Sequence, residues 1–217
     1  MIIKELENYT INPGLAYVLG SIIPYFKKGK DNGGKEFIKG CANYNSVSDE
    51  DLAAHFKSVL HLMEKNHLND LIPLSNKQDG YSISPKKGFS ILIYKENLSD
   101  EECLAILIKK VLEIKETESF EIKKEFMKGV FDGRASWDST YHFFSIDADR
   151  DYERQDLIYE IFKSAGIDLQ LNRRAKDYGK NDQIRLRPKD IKDFIQRIGL
   201  FNVMKKNQIL EWLGEVE

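Results

Sequence analysis

Apolar residues recur at helical spacing in two matching places along this chain. Leu15, Val18, Leu19, Ile22 and Ile23 form one stripe, and Phe126, Met127, Val130 and Phe131 form the other. Asn12 is suited to cap the first stripe and Pro13 to open it, while Pro24 should stop it at or before Ile23. Superposing Gly20 on Gly129 sets an offset of half the 217-residue chain. Two such segments predict a duplicated unit whose copies meet at these helices.

The same patterning predicts the elements between them. Residues 1–10 read as a lead-in, residues 27–34 as a Lys- and Gly-rich loop and residues 35–43 as a strand. Residues 48–51 cap a helix that carries Leu52, Phe56, Val59, Leu60 and Met63 on one face. Short apolar runs at 71–74 and 89–94 predict two strands. Ser99 caps the next helix, with Leu104, Leu107, Ile108, Val111 and Leu112. In the second half, residues 135–138 and 141–147 flank a Ser139-Thr140 turn and predict a β-hairpin. Asp149 or Asp151 caps a helix with Leu157, Ile158, Ile161 and Phe162, closing at Ala165-Gly166. Residues 167–172 alternate strictly, a polar loop spans 177–182, and residues 183–187 return as a strand. Pro188 opens a helix with Ile191, Phe194, Ile195 and Ile198, and residues 203–213 form the last one.

Composition narrows the function classes. Hydrophobic content of 41% with 31% charged residues is that of a folded domain, and no apolar run nears the ~20 residues that span a bilayer. The acidic first residues lack an apolar signal core, so an intracellular, cytoplasmic protein is expected. Cys41 and Cys103 have no CxxC spacing and read as buried free thiols. His55, His61, His67 and His142 lack zinc-ligand spacing, and no GxGxxG, GxxxxGK[ST] or GxSxG motif is present. A net charge of −2 argues against a generic polycation but leaves room for a local basic surface, and every arginine lies at or after Arg134.

That asymmetry matters on the predicted strands of the second half. Ile167, Leu169, Leu171, Ile184 and Leu186 point to a core, which leaves Asp168, Gln170, Asn172, Gln183, Arg185 and Arg187 on the other face. Arg173, Arg174 and Lys176 extend it at the hairpin end. Gln, Asn and Arg pair bidentately with adenine and guanine edges, and peripheral cations position phosphates. A solvated sheet face is the alternative. Trp137 and Tyr141 read as cross-strand packing.

The stretch Phe126-Met127-Lys128-Gly129-Val130-Phe131-Asp132-Gly133-Arg134-Ala135-Ser136 resembles the motif that names the LAGLIDADG homing endonucleases. Ala165-Gly166-Ile167, Arg185-Leu186-Arg187 and Phe194–Gly199 resemble that family's later segments in order. The resemblance implies an α+β fold of two pseudo-symmetric αββαββα repeats, residues 1–117 and 118–217, in one monomeric pseudo-dimer. It implies two antiparallel sheets forming a saddle on double-stranded DNA. In the family, an acid at the foot of each motif helix binds a divalent metal for cleavage.

Here Arg134 and Tyr25 fall at those two acidic positions, while Asp132 keeps the motif's earlier acid. The resemblance therefore implies sequence-specific DNA binding without cleavage and without a cofactor, as a transcription regulator or the recognition component of a restriction or mobile-element system. Such a component would work beside a partner nuclease or regulatory protein. The DNA-contacting candidates are Gln170, Asn172, Arg173, Arg174, Lys176, Gln183, Arg185, Arg187, Arg134, Lys35 and Lys39. An alternative is an active Mg-dependent endonuclease with Asp132 and Asp138 as catalytic acids and Asp132 as metal ligand. A second is a protein-interaction module on the same fold. Asp149, in the family-like string Ser145–Arg150, is expected to be a helix cap.

Overall fold

The two apolar stripes pack against each other as helices. The computed structural model describes residues 2–43, 49–68, 81–84, 88–132, 135–175 and 179–214. A 3-10 turn (Ile3–Asn8) leads to α1 (Pro13–Ile22), β1 (Lys27–Lys30), β2 (Glu36–Asn43), α2 (Asp49–Lys65), β3 (Tyr81–Ser84), β4 (Gly88–Tyr94) and α3 (Asp100–Glu116). The same order then recurs: α4 (Phe120–Asp132), β5 (Ser136–Asp138), β6 (Phe143–Ala148), α5 (Tyr152–Ser164), β7 (Leu169–Asn172), β8 (Asp182–Leu186) and α6 (Pro188–Arg197), followed by α7 (Val203–Leu213). Each half builds a four-stranded antiparallel sheet of one topology, β1-β2-β4-β3 and β5-β6-β8-β7.

Two glycines set the distance between α1 and α4. A Cβ on Gly20 would lie 2.1 Å from the Phe126 carbonyl oxygen, and one on Gly129 would lie 2.2 Å from that of Tyr17. Tyr17 and Phe126 are separated by the same offset as Gly20 and Gly129, so the contact is reciprocal under the repeat. The backbones touch because neither glycine has a side chain.

Each sheet lays its apolar face on its own half's helices. Ile38, Ile91 and Ile93 line the first core, and β2 closes on α1 where Gly40 leaves room for Ser21. In the second, Phe131 of α4 stacks on Phe144 of β6 at 5.0 Å and meets the edges of Phe162 and Phe194 at 5.7 and 5.4 Å. Asn12 caps α1 through the Leu15 N–H with Pro13 next, and a Ser99–Glu102 capping box opens α3.

Several expectations change. The lead-in is a 3-10 turn that buries Ile3 and Leu6. The Lys-Gly loop begins as strand β1, invisible to a hydrophobic pattern because it is an edge strand of lysines with Gly29 beneath the Phe37 ring. Residues 139–142 all belong to the turn, where Asp138 Oδ1 accepts the N–H groups of Thr140 and Tyr141. Leu112 faces outward, at 40% exposed. Asp182 belongs to β8, and Arg187 is the residue before α6 rather than a strand residue. The run at 71–74 lies outside the described residues, and the strand that flanks β4 on the side away from β2 is Tyr81–Ser84.

Candidate functional site

Both paired helices end at a carbonyl held by a buried cation. The Ile23 carbonyl accepts from Arg154 Nη1 at 3.1 Å, and the Asp132 carbonyl accepts from Lys205 Nζ at 3.0 Å. Ile23 and Asp132 correspond under the offset that superposes Gly20 on Gly129, so the two cations sit at equivalent ends. A cation at a helix C-terminus meets the negative end of the helix dipole. The exit from α1 is also tied to the second half. Asp149 donates its N–H to Pro24 O at 2.8 Å, and its carboxylate accepts from Phe26 N at 2.8 Å and from Arg154 Nη2 at 3.0 Å. Asp149 is thus a clamp between halves; the cap of α5 is Asp151, which accepts from the Arg154 N–H.

Asp132 is fully buried and its carboxylate is a junction. Oδ1 accepts from Asn202 N at 2.8 Å, and Oδ2 accepts from Phe201 N at 3.1 Å and Tyr17 Oη at 3.0 Å. Tyr17 has one proton and gives it to Asp132, so its oxygen, 3.0 Å from His55 Nε2, is the acceptor for that ring N–H. One carboxylate therefore joins α4, α1, α2 and the start of α7.

These donors do not fit a divalent metal. A hard cation needs several oxygen ligands with lone pairs to spare, and the Asp132 oxygens are engaged by three donors inside the protein. Asp138 spends Oδ1 on its own turn. Tyr25 is a half-buried phenol at the first half's position, and Arg134 lies outside the described residues. Among the described residues, no group of three or more His, Cys, Asp or Glu is arranged to hold a metal ion.

Burial shifts the two basic groups at this junction. Desolvation is the main cause that takes His55 down from 6.5 to about 4, against the pull of Asp132, and takes Lys205 down from 10.5 to about 8. Between pH 6.5 and 4 the unfolded chain binds a proton at His55 that the folded chain refuses, so stability falls on acidification through that window. The shift corresponds to about 3 kcal/mol in all. Urea midpoints at pH 7 and pH 4 should show this loss, and His55→Gln should remove most of it; an unchanged pH dependence in the variant would count against the assignment. Lys205 has the same sign at the alkaline end: its charge weighs on the fold below pH 8, relieved as pH rises toward 10.5.

The second region is the outer face of the sheet β5-β6-β8-β7. Register places Ser145, Arg185 and Gln170 in one cross-strand row and Asp147, Gln183 and Asn172 in the next. Phe144, Ile146, Ile184, Leu186 and Leu169 point the other way, into the core. Arg185 is held in place: its guanidinium lies 4.4 Å over the Phe143 ring, and Nη2 and Nε donate to Gln183 Oε1 at 2.8 and 3.2 Å. A guanidinium on an aromatic face is preorganised for a planar acceptor pair. Phe143 stacks in turn with Tyr141, which is 72% exposed at the hairpin tip. A cleft of 400 Å³ follows along the face, lined by Asp147, Arg174, Gly179, Lys180, Asn181 and Gln183. Arg150 supports its loop by donating to Ala175 O and Lys180 O.

The face thus gathers Gln170, Asn172, Gln183 and Arg185, with Arg174 at its end. One candidate arginine is turned elsewhere, and another is paired across the strand ends. Arg173 lies against α5, stacked 4.5 Å over Tyr152 and bonded to Gln155 Oε1 and Asp156. These α5 side chains complement a guanidinium, and strand alternation does not extend past Asn172. Arg187 pairs with Asp168 at 3.3 Å. Lys39 lies beside Lys27 on the outer face of the first sheet, Lys35 is exposed in the β1–β2 turn, and Lys176 is outside the described residues. Sequence reading missed Phe143 and Asp147, although the alternation from 143 to 148 carried the signal. It also missed Arg154 and Lys205, whose partners lie 131 and 73 residues away.

Two four-stranded antiparallel sheets, each beneath one of a pair of glycine-packed helices, define the LAGLIDADG homing-endonuclease fold. Solved structures similar to this chain bear that out. I-DmoI in complex with DNA and Mn aligns at a TM-score of 0.52 with 14% identity, over 88% of this chain and 98% of that one. A mesophilic variant of the homing endonuclease I-DmoI aligns at 0.51 with 15% identity, over 86% and 96%. Full-length DUF199/WhiA from Thermatoga maritima aligns at 0.52 with 17% identity, over 98% of this chain and 64% of that longer one. No protein-family model matches the sequence, and no curated protein sequence matches it.

Proposed function

We propose that this chain binds double-stranded DNA sequence-specifically and does not cut it. The observation that carries the reading is the two adjacent rows that hold Gln170 and Arg185, then Asn172 and Gln183, on one sheet face, with Arg185 held between Phe143 and Gln183. These side chains pair with purine edges in the major groove. The solved neighbour I-DmoI carries DNA on the same fold, which favours this use of the face over plain solvation. The non-cleaving part rests on the helix ends, where Arg154 and Lys205 hold the two terminal carbonyls and Asp132 is committed to interior donors. Residues 1–117 and 118–217 act together as one monomeric unit. The role that fits is a DNA-associated transcription regulator, or the recognition component of a restriction or mobile-element system working beside a separate nuclease.

Selection from random duplex DNA at stated salt is expected to enrich one sequence. Arg185→Ala should weaken binding to it by about 1–3 kcal/mol and relax choice at one position. Lys39→Ala should instead weaken all duplexes alike and lower the salt slope by about one. No enriched sequence, or an affinity indifferent to Arg185→Ala, would sink the DNA reading. Reproducible nicking of the selected site with Mg or Mn would sink the non-cleaving part and restore the endonuclease alternative.

A further inference from the structure

The two sheets occupy equivalent places in the two halves but carry different chemistry on their outer faces. In the second, hydrogen-bonding groups fill the rows across the central strands: Ser145, Arg185 and Gln170, then Asp147, Gln183 and Asn172. In the first, the rows across β1, β2 and β4 are Lys27, Lys39 and Leu92, then Gly29, Phe37 and Tyr94, and the next pair of β2 and β4 on that face is Cys41 with Ser90. Phe37 meets Tyr94 edge to face at 6.3 Å and also fills the space above Gly29. Phe37 and Leu92 are only 9% and 8% exposed, so this end of the face is closed hydrocarbon, with Lys27 and Lys39 beside Leu92 in its row. The difference is written through the whole first half. No arginine precedes Arg134, and the strands of the first sheet contain one Asn, Asn43, and no Gln.

An ammonium is a flexible point charge, whereas guanidinium and amide groups offer fixed pairs of donors and acceptors. The first suits phosphate oxygens and the second suits base edges. Apolar rings and methyls add contact with a thymine methyl but no purine discrimination. We infer that this protein reads its duplex unevenly: the second sheet reads bases by hydrogen bonds, while the first grips the backbone and reads little beyond thymine methyls. This rests on the DNA-binding reading above and adds the kind of target, a site whose sequence information lies mainly in one half.

The test uses the full chain and the sequence enriched from random duplex DNA. One half of the enriched site should hold most of the fixed positions, and Arg185→Ala and Gln183→Ala should relax positions in that half only. Replacing purines by 7-deazapurines there should cost tenfold or more in affinity. The same replacement in the other half should change affinity less than twofold, and uracil for thymine in that half should cost two- to fivefold. Lys27→Ala with Lys39→Ala should lower affinity without changing the enriched sequence. Two equally informative halves, or equal 7-deazapurine losses on both sides, would overturn the inference while leaving DNA binding intact. Enrichment of no sequence at all would overturn the reading beneath it and this inference together.

Discussion

Gly129→Ala is expected to destabilise the protein by about 3 kcal/mol, even though alanine is the better helix former by about 1 kcal/mol. The new methyl would stand 2.2 Å from the Tyr17 carbonyl oxygen, a backbone atom that cannot swing aside. Ordinary contact begins at 3.4 Å, so α1 and α4 must part locally by about 1 Å. Tyr17, Phe126 and Val130 along that seam would then lose close packing with their neighbours. In a chain of this size the cost corresponds to a melting point lower by roughly 10 °C. Gly20→Ala should behave alike, because its methyl meets Phe126 O at 2.1 Å. The double variant should cost less than the sum of the singles, since a helix pair already spread apart accepts the second methyl more cheaply. Additive losses in thermal or urea unfolding, or a Gly129→Ala protein as stable as the wild type, would refute the account of the seam.

Asp132→Ala should cost about 4 kcal/mol, the largest loss expected from a single polar side chain here. Removing the carboxylate strands the N–H groups of Phe201 and Asn202 in the interior and takes from the Tyr17 hydroxyl the acceptor of its proton, leaving it the contact with His55. It also removes the negative charge nearest Lys205 and His55, both of which feel Asp132 as a charge-favouring partner. Asp132→Asn keeps the shape but offers one acceptor atom where two are used, and should fall between alanine and wild type. Unfolding midpoints together with amide exchange at Phe201 and Asn202 would measure this. A fully stable Asp132→Ala protein would show that the junction is not structural. Loss of any activity in an Asp132 variant therefore identifies no metal ligand unless the folded fraction is measured beside it.

Helix periodicity, capping and the paired glycines were all legible along the chain. Residues such as Val18, Leu19, Val130 and Phe131 repeat at helical spacing, and Asn12, Ser99 and Pro188 punctuate them. The superposition of Gly20 on Gly129 even foretold the glycine contact, because a duplication preserves sequence distance. Strand β1 was not legible, since an edge strand of lysines has no apolar alternation to betray it. The outward set Gln170, Asn172, Gln183 and Arg185 followed from period two. Arg173 did not, because what turns it is Asp156 and Tyr152 on a neighbouring helix. The cations at the helix ends were out of reach for the same reason. A hydrogen bond from Arg154 to Ile23 leaves no trace in local composition.

That bond and its neighbours order events in time as well as in space. The ribosome delivers Ile23 131 residues before Arg154, and Phe26 123 residues before Asp149. Until the later segment has been synthesised, α1 has neither α4 against its glycine face nor a partner at its closing turn. The first half must therefore wait in an unfinished form that keeps an apolar helix face uncovered. That face is covered only once α4 has been made, and the closing turn of α1 gains its partner only when Arg154 follows.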